Sequence, residues 1–192
     1  MHLRRGNLFL VGMPGSGKST LGRVLARTLG KTFVDADHEL ERRLGVSIST
    51  IFEIEGEDTF RTREEETLAR LVQRVDIVLA TGGGAVLRAP NRERLRVGGT
   101  VLYLHATPET TWERTRHSKN RPLLQTADPL ARAHALYAQR DHLYRETADL
   151  VIEVERQKST QVMAFLRDKL GAGAPLEPDP VPAPASASPS DP

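Results

Sequence analysis

Short apolar runs alternate with stretches of helical periodicity through most of this 192-residue chain. The runs are Leu8–Val11, Thr32–Asp35, Ile77–Ala80, Val101–Leu104 and Leu150–Val154. Each is short and nearly continuous in apolar character, the pattern of a strand buried on both faces. Between them lie helix-like segments. Leu21, Leu25 and Leu29 recur every fourth residue after the first run. The pattern predicts further helices at about Asp37–Leu44, Ile51–Glu55, Asp58–Arg74, Asn91–Val97, Pro108–Arg116, Ala127–Thr147 and Thr160–Leu170. Pro90 suits the first turn of the helix it precedes. Strands separated by helices imply an α/β fold, a parallel sheet with helices on both faces. No internal repeat is visible.

The turn after the first run carries chemistry. Gly12-Met13-Pro14-Gly15-Ser16-Gly17-Lys18-Ser19-Thr20 fits the P-loop pattern G-x-x-x-x-G-K-S/T. A strand precedes it and a helix follows, the context a phosphate cradle needs. Backbone N–H groups of the loop can converge on one anion. The helix N-terminus adds partial positive charge. Lys18 can reach the outer phosphates of a nucleotide, and the Ser19 hydroxyl can ligate Mg²⁺.

Asp35-x-Asp37 ends the second run. Parallel strands all finish on one side, so both carboxylates fall near the P-loop. Phosphoryl transfer uses one carboxylate at the metal shell and one beside the attacking hydroxyl. Asp37 could equally serve as a helix cap. Thr81-Gly82-Gly83-Gly84 ends the third run. It reads either as a platform for a flat ligand or as a turn. Arg61 has helix-spaced acids at Glu64 and Glu65, and Arg140 sits in a polar helix. Spacing alone leaves both open between surface and site. Arg23, Arg27, Arg92, Arg94 and Arg96 show no special context. The stretch Lys119–Leu124, with Arg121, is either an exposed connection or a lid that closes over a nucleotide.

Composition narrows the classes. There are no cysteines, which excludes disulfides and thiolate chemistry and fits a cytosolic address. The net charge is only +2, with no basic stripe interleaved with aromatics, so nucleic acid is not an expected partner. Leu8–Val11 is too short for a signal peptide core, and no stretch has the length of a membrane span. The six histidines lack metal-site spacing. No G-x-S-x-G elbow and no N-K-x-D guanine signature occur. Beyond Gly171 the chain is mostly Pro, Ala, Gly and Ser. We expect one domain over 1–171, with a lid near 114–128, and a disordered tail over 172–192.

Taken in order, these motifs resemble the shikimate kinase family. The likeness covers about Leu8 to Leu170. It rests on Gly12–Thr20, Phe33–Asp37, Ser47-Ile48 with Ile51-Phe52, Gly56-Glu57 with Phe60-Arg61 and Glu64, Gly82–Val86, Arg121–Leu124, and Arg140 with Leu143-Tyr144. The resemblance implies a three-layer P-loop kinase fold whose five parallel strands run in the order 2-3-1-4-5. It implies transfer of the ATP γ-phosphoryl group to the 3-hydroxyl of shikimate, with Mg²⁺ as cofactor. Lys18, Asp37 and Arg121 would be catalytic. Gly15, Ser16, Gly17, Lys18, Ser19, Thr20, Arg114 and Arg121 would bind ATP, with Arg114 beside the adenine. Asp37, Arg61, Gly82, Gly83, Gly84 and Arg140 would bind shikimate. Ser19, and Asp35 through water, would hold the metal. A monomer is expected. Ser159 departs from the proline common near the adenine, and the 172–192 tail has no counterpart in the family core. A gluconate or nucleoside monophosphate kinase, or a non-catalytic nucleotide-binding module, is the alternative.

Overall fold

The computed structural model describes residues 6–116, 126–155, 161–162 and 164–166. Five strands form one parallel sheet: β1 (Asn7–Val11), β2 (Thr32–Asp35), β3 (Ile77–Ala80), β4 (Gly99–His105) and β5 (Leu150–Glu153). Their spatial order is β2-β3-β1-β4-β5, as the resemblance implies. Register is tight at the centre, with Leu10 opposite Ala80 on one side and Leu102 on the other.

Alternation along each strand sends side chains to two cores. Phe9, Val11, Leu79, Val101 and Tyr103 face one way, toward Leu68, Leu95 and Leu136. Leu8, Leu10, Val78, Leu102 and Leu104 face the other, toward Leu21 and Leu25. Both sets are almost wholly buried. Truncating one of these leucines to alanine would cost about 2–5 kcal/mol.

The helices are α1 (Lys18–Leu29), α2 (Ala36–Leu44), α3 (Ile48–Leu71), α4 (Ala89–Gly98), α5 (Pro108–Thr115) and α6 (Pro129–Thr147). Local chemistry starts them. The Ser47 hydroxyl accepts from Thr50 N, Thr107 from Thr110 N and Asp128 from Ala131 N. Three features depart from the sequence reading. The Ser47 cap starts α3 at Ile48, ahead of the expected Ile51. The two helices expected there are joined, but a break remains at Gly56, with φ 79° and ψ 174°. A side chain rarely tolerates that backbone, which is why glycine occupies it. A 3-10 turn, Ala85–Leu87, leads into α4.

The Gly56 break is spanned from outside. Arg63 donates to both oxygens of Glu55, each at 2.8 Å. A small cluster of Leu40, Ile51 and Phe60 binds α2 to both halves of α3.

Arg92 and Arg94 have context that spacing hid. Arg92 donates to the Val86 carbonyl and Arg94 to Glu65. Of the expected terminal helix, residues 161–162 and 164–166 are helical and the rest lie outside the described residues. The 172–192 tail, Ser159 and most of the expected lid, including Arg121, also lie outside them. Among the described residues, no helix is long and apolar enough to cross a membrane.

Strand order fixes where chemistry collects. β3 lies between β2 and β1. The segments leaving these three strands are therefore neighbours on one edge: the P-loop, Asp35-x-Asp37 and the glycine triplet.

Candidate active site

The loop from Gly12 to Gly17 turns β1 into α1. Gly17, the α1 N-cap, sits at φ 93° and offers no side-chain cap. The first N–H groups of α1 thus receive no side-chain acceptor at that cap and face the groove. Lys18 is buried, and its Nζ donates to the carbonyls of Gly12 and Met13 at 2.8 and 2.9 Å. The ammonium is drawn back along the loop, where it braces the curl. Ser19 Oγ donates to Asp35 Oδ2 at 2.6 Å. The other Asp35 oxygen accepts from the N–H groups of Asp37 and His38. Asp35, not Asp37, is therefore the cap of α2. This leaves the Asp37 carboxylate clear of the capping role weighed for it.

These groups line a cavity of about 850 Å³, with Lys18, Ser19, Asp35, Asp37 and Arg114 on its wall. The turn from α2 to α3 closes its far side through Glu41, Ser47 and Ile48. A second cavity of about 350 Å³ adjoins it and shares Gly15, Gly17, Thr20 and Arg114. Its remaining wall is largely apolar: Leu21, Leu104, Val154 and Val162. Arg114 stands between the two, its Nη1 3.4 Å from the Gly15 carbonyl.

The other half of the site is built from buried charge. Arg61 is only 5% exposed. It donates to Glu64 Oε2 at 2.8 Å and to Glu57 Oε1 at 2.8 Å. The glycine triplet makes room for these side chains. A Cβ at Gly84 would run into the Arg61 guanidinium. One at Gly82 would lie 2.7 Å from Asp37 Oδ1 and nearer still to Glu64 Oε1. One at Gly83 would press on Pro14 at 3.0 Å. The backbone expected to receive a flat ligand is thus packed by the side chains of Arg61, Glu64, Asp37 and Pro14. From the opposite side comes α6. Arg140 is 2% exposed, its Nη1 3.3 Å from the Gly83 carbonyl. Tyr144, one turn later, donates its hydroxyl to that same carbonyl.

Two buried polar atoms here have no hydrogen-bond partner among the described residues: Glu64 Oε1 and Arg140 Nε. A bare acceptor and a bare donor at the end of one cleft mark where a polar molecule would complete the set. Burial pushes the Glu64 carboxyl up to about 7. Arg61 opposes that rise and the Asp37 charge adds to it. Burial also lowers the Arg140 pKa, with the nearby Arg61 charge acting in the same direction.

Comparison with known proteins decides what this cleft belongs to. The family model for shikimate kinase matches residues 14–170. A shikimate kinase of Nitrosospira multiformis is 56% identical over 165 residues, covering 86% of this chain and 85% of that protein. One from Thiobacillus denitrificans is 54% identical over 167 residues, 87% of this chain and 91% of its own length. The solved shikimate kinase of Acinetobacter baumannii, in complex with shikimate, superposes with a TM-score of 0.82 at 48% identity, covering 86% of this chain and 93% of that one. The chain belongs to the shikimate kinase family. It is an ATP-using kinase, and the other small-molecule kinases weighed from sequence are not favoured.

Within this shikimate kinase, most of the residues singled out from sequence come together. Gly15, Gly17, Lys18, Ser19, Thr20, Asp35, Asp37 and Arg114 share the large cavity. Ser16 is buried behind the loop, its Oγ unpartnered among the described residues. Arg61, Gly82, Gly83, Gly84 and Arg140 form the cluster joined to that cavity through Asp37. Glu57, Glu64 and Tyr144 stand in the sequence among the residues that carry the resemblance, with no site role given to them. The spacing of Glu57 and Glu64 from Arg61 is readable in the sequence, but the burial of Glu64 is not. The signal for Tyr144 is its place in that resemblance, four residues after Arg140.

Proposed function

We propose that this chain transfers the γ-phosphoryl group of ATP to the 3-hydroxyl of shikimate, the reaction of its family, with the following division of labour. The P-loop amides and Lys18 hold the triphosphate. Lys18 exchanges its two loop carbonyls for phosphate oxygens when nucleotide enters. The smaller cavity takes the adenine between its aliphatic wall and Arg114. Arg121 comes to the phosphates from the lid.

Asp37 faces the acceptor hydroxyl. It is the residue shared between the phosphate cavity and the Arg61–Glu64 cluster, and that shared position carries the reading. There it can align the hydroxyl and receive its proton as the P–O bond forms. Arg140 and Arg61 take the shikimate carboxylate, matched by planar guanidinium forks. Glu64 keeps Arg61 aimed through their 2.8 Å hydrogen bond. Gly82, Gly83 and Gly84 lend backbone to the floor of the pocket.

The residues present fit a divalent cation carried by ATP. Ser19 Oγ and Asp35 Oδ2 are 2.6 Å apart at the cradle. No cluster of three or more His, Cys, Asp or Glu able to cage a metal occurs among the described residues. Two oxygen donors completed by phosphate and water are what Mg²⁺ uses. Bound there, Ser19 directly and Asp35 through water would hold it, and it would neutralise charge on the β- and γ-phosphates. We also expect a cytosolic monomer.

A coupled assay of ADP release tests the whole. ADP should appear on adding shikimate with MgATP and not with gluconate or a nucleoside monophosphate. Turnover stimulated by either of those, and not by shikimate, would overturn the reading.

A further inference from the structure

Resting on the proposed shikimate site, we infer that Tyr144 is a positioning residue that keeps the Arg140 guanidinium available to the acceptor's carboxylate. The two side chains stand one turn apart on α6 and so share a face. Both reach one acceptor, the Gly83 carbonyl. The tyrosine hydroxyl holds it closely. The guanidinium Nη1 holds it only at 3.3 Å. Arg140 Nε, buried, has no partner among the described residues. The arginine is therefore enclosed against the Tyr144 side chain, with its Nε still open.

The tyrosine is well placed to keep it so. Its ring is fully buried and stacked on Tyr103, with centroids 4.9 Å apart. Tyr103 in turn donates to Asp141, which also pairs with Arg145. The Tyr144 ring is thus packed from behind by the Tyr103 ring, with its hydroxyl at the Gly83 carbonyl. Burial holds it protonated, so it stays a donor. A carbonyl has two lone pairs, and the hydroxyl and the guanidinium take one each. Without the hydroxyl, Gly83 would be left to Arg140 alone. The guanidinium would close on the carbonyl and turn its free edge from the cleft. Tyr144 thus serves binding without touching substrate.

The test is Tyr144→Phe, which keeps the stacked ring and removes one oxygen. We expect shikimate KM to rise about three- to tenfold, the range for one lost hydrogen bond. kcat and the KM for ATP should stay within about twofold. A second measurement does not depend on how much of the variant folds. The ratio of kcat/KM for shikimate to that for its methyl ester reports how well the carboxylate is gripped. That ratio should fall in Tyr144→Phe and hold in Tyr103→Phe, which alters the same stack without touching Gly83. An unchanged ratio in Tyr144→Phe overturns the inference, as does an equal fall in both variants. If the unmodified protein turns over shikimate and the ratio still does not move, only this inference fails. If it does not turn over shikimate, the proposed function fails first.

Discussion

The two halves of the cleft are made differently. The phosphate half is nine consecutive residues, and much of its binding power is backbone. The acceptor half draws single side chains from α2, α3 and α6, set against a glycine floor after β3. The first needs only a strand, a turn and a helix in sequence. The second exists only when the whole domain is assembled, and it keeps charged groups out of water to do so. A backbone cradle is cheap to fold and tolerant of its surroundings. A buried ionic cluster is selective and strained by its own desolvation.

The comparison can be broken at its strongest point first. Lys18→Ala removes the P-loop ammonium proposed to hold the triphosphate. kcat should fall by about two to three orders of magnitude. The fold should be kept, because the printed bonds of the ammonium run to carbonyls of its own loop, and circular dichroism checks this. Near-normal turnover would take the P-loop out of the reaction. Asp37→Asn should lower kcat by about a hundredfold with shikimate affinity largely kept. An effect confined to KM would place Asp37 with the binding groups instead. Arg140→Ala should act the other way round, raising shikimate KM by about ten- to a hundredfold, the loss of one charged contact. Unchanged affinity would move the carboxylate elsewhere.

The smallest effect concerns pH and belongs to the acceptor half alone. Folded, Glu64 keeps its proton up to about pH 7, against an ordinary value of 4.5. Between those values the folded state binds more protons than the unfolded one. Stability contributed by this group is full below about 4.5 and is lost as pH rises through about 7. Glu39, Asp141 and Glu155 are shifted downward, so their contribution is complete before that window opens. Melting curves of the ligand-free protein should show a fall from pH 5 to 7.5. Glu64→Gln should flatten it. A variant profile as steep as the original would remove Glu64 as its source.

The same contrast explains what could be read from sequence. All five strands were visible, because a sheet covered on both faces needs apolar runs. The P-loop was visible because its residues are adjacent and their types are fixed by geometry. Arg61 and Arg140 were ambiguous. An arginine on a helix looks alike whether water or a carboxylate awaits it, and only tertiary packing buries it. The Glu64 partner was noticed as the ordinary helix-face alternative. The two readings do not exclude each other, since the Arg61–Glu64 pair is buried and Glu64 also lies against Gly82 and Asp37. Spacing leaves Asp37 open between cap and ligand; Asp35 takes the cap, and the place beside the acceptor hydroxyl is our proposal for Asp37. The helix start at Ile48 hid because the Ser47 cap lies outside the apolar pattern.

The interruption of α3 at Gly56 separates two jobs that a continuous rod would bind together. Each residue added to an unbroken helix rotates everything beyond it by about 100°. Here the stretch before residue 56 adjoins the cavity wall, whereas the stretch after it carries Arg61 and Glu64. Lengthening or trimming the first stretch can therefore be absorbed at the break, with the outer Glu55–Arg63 tie as its gauge. The rim of the pocket is free to diverge in shape while the bearing of the guanidinium at its base stays put.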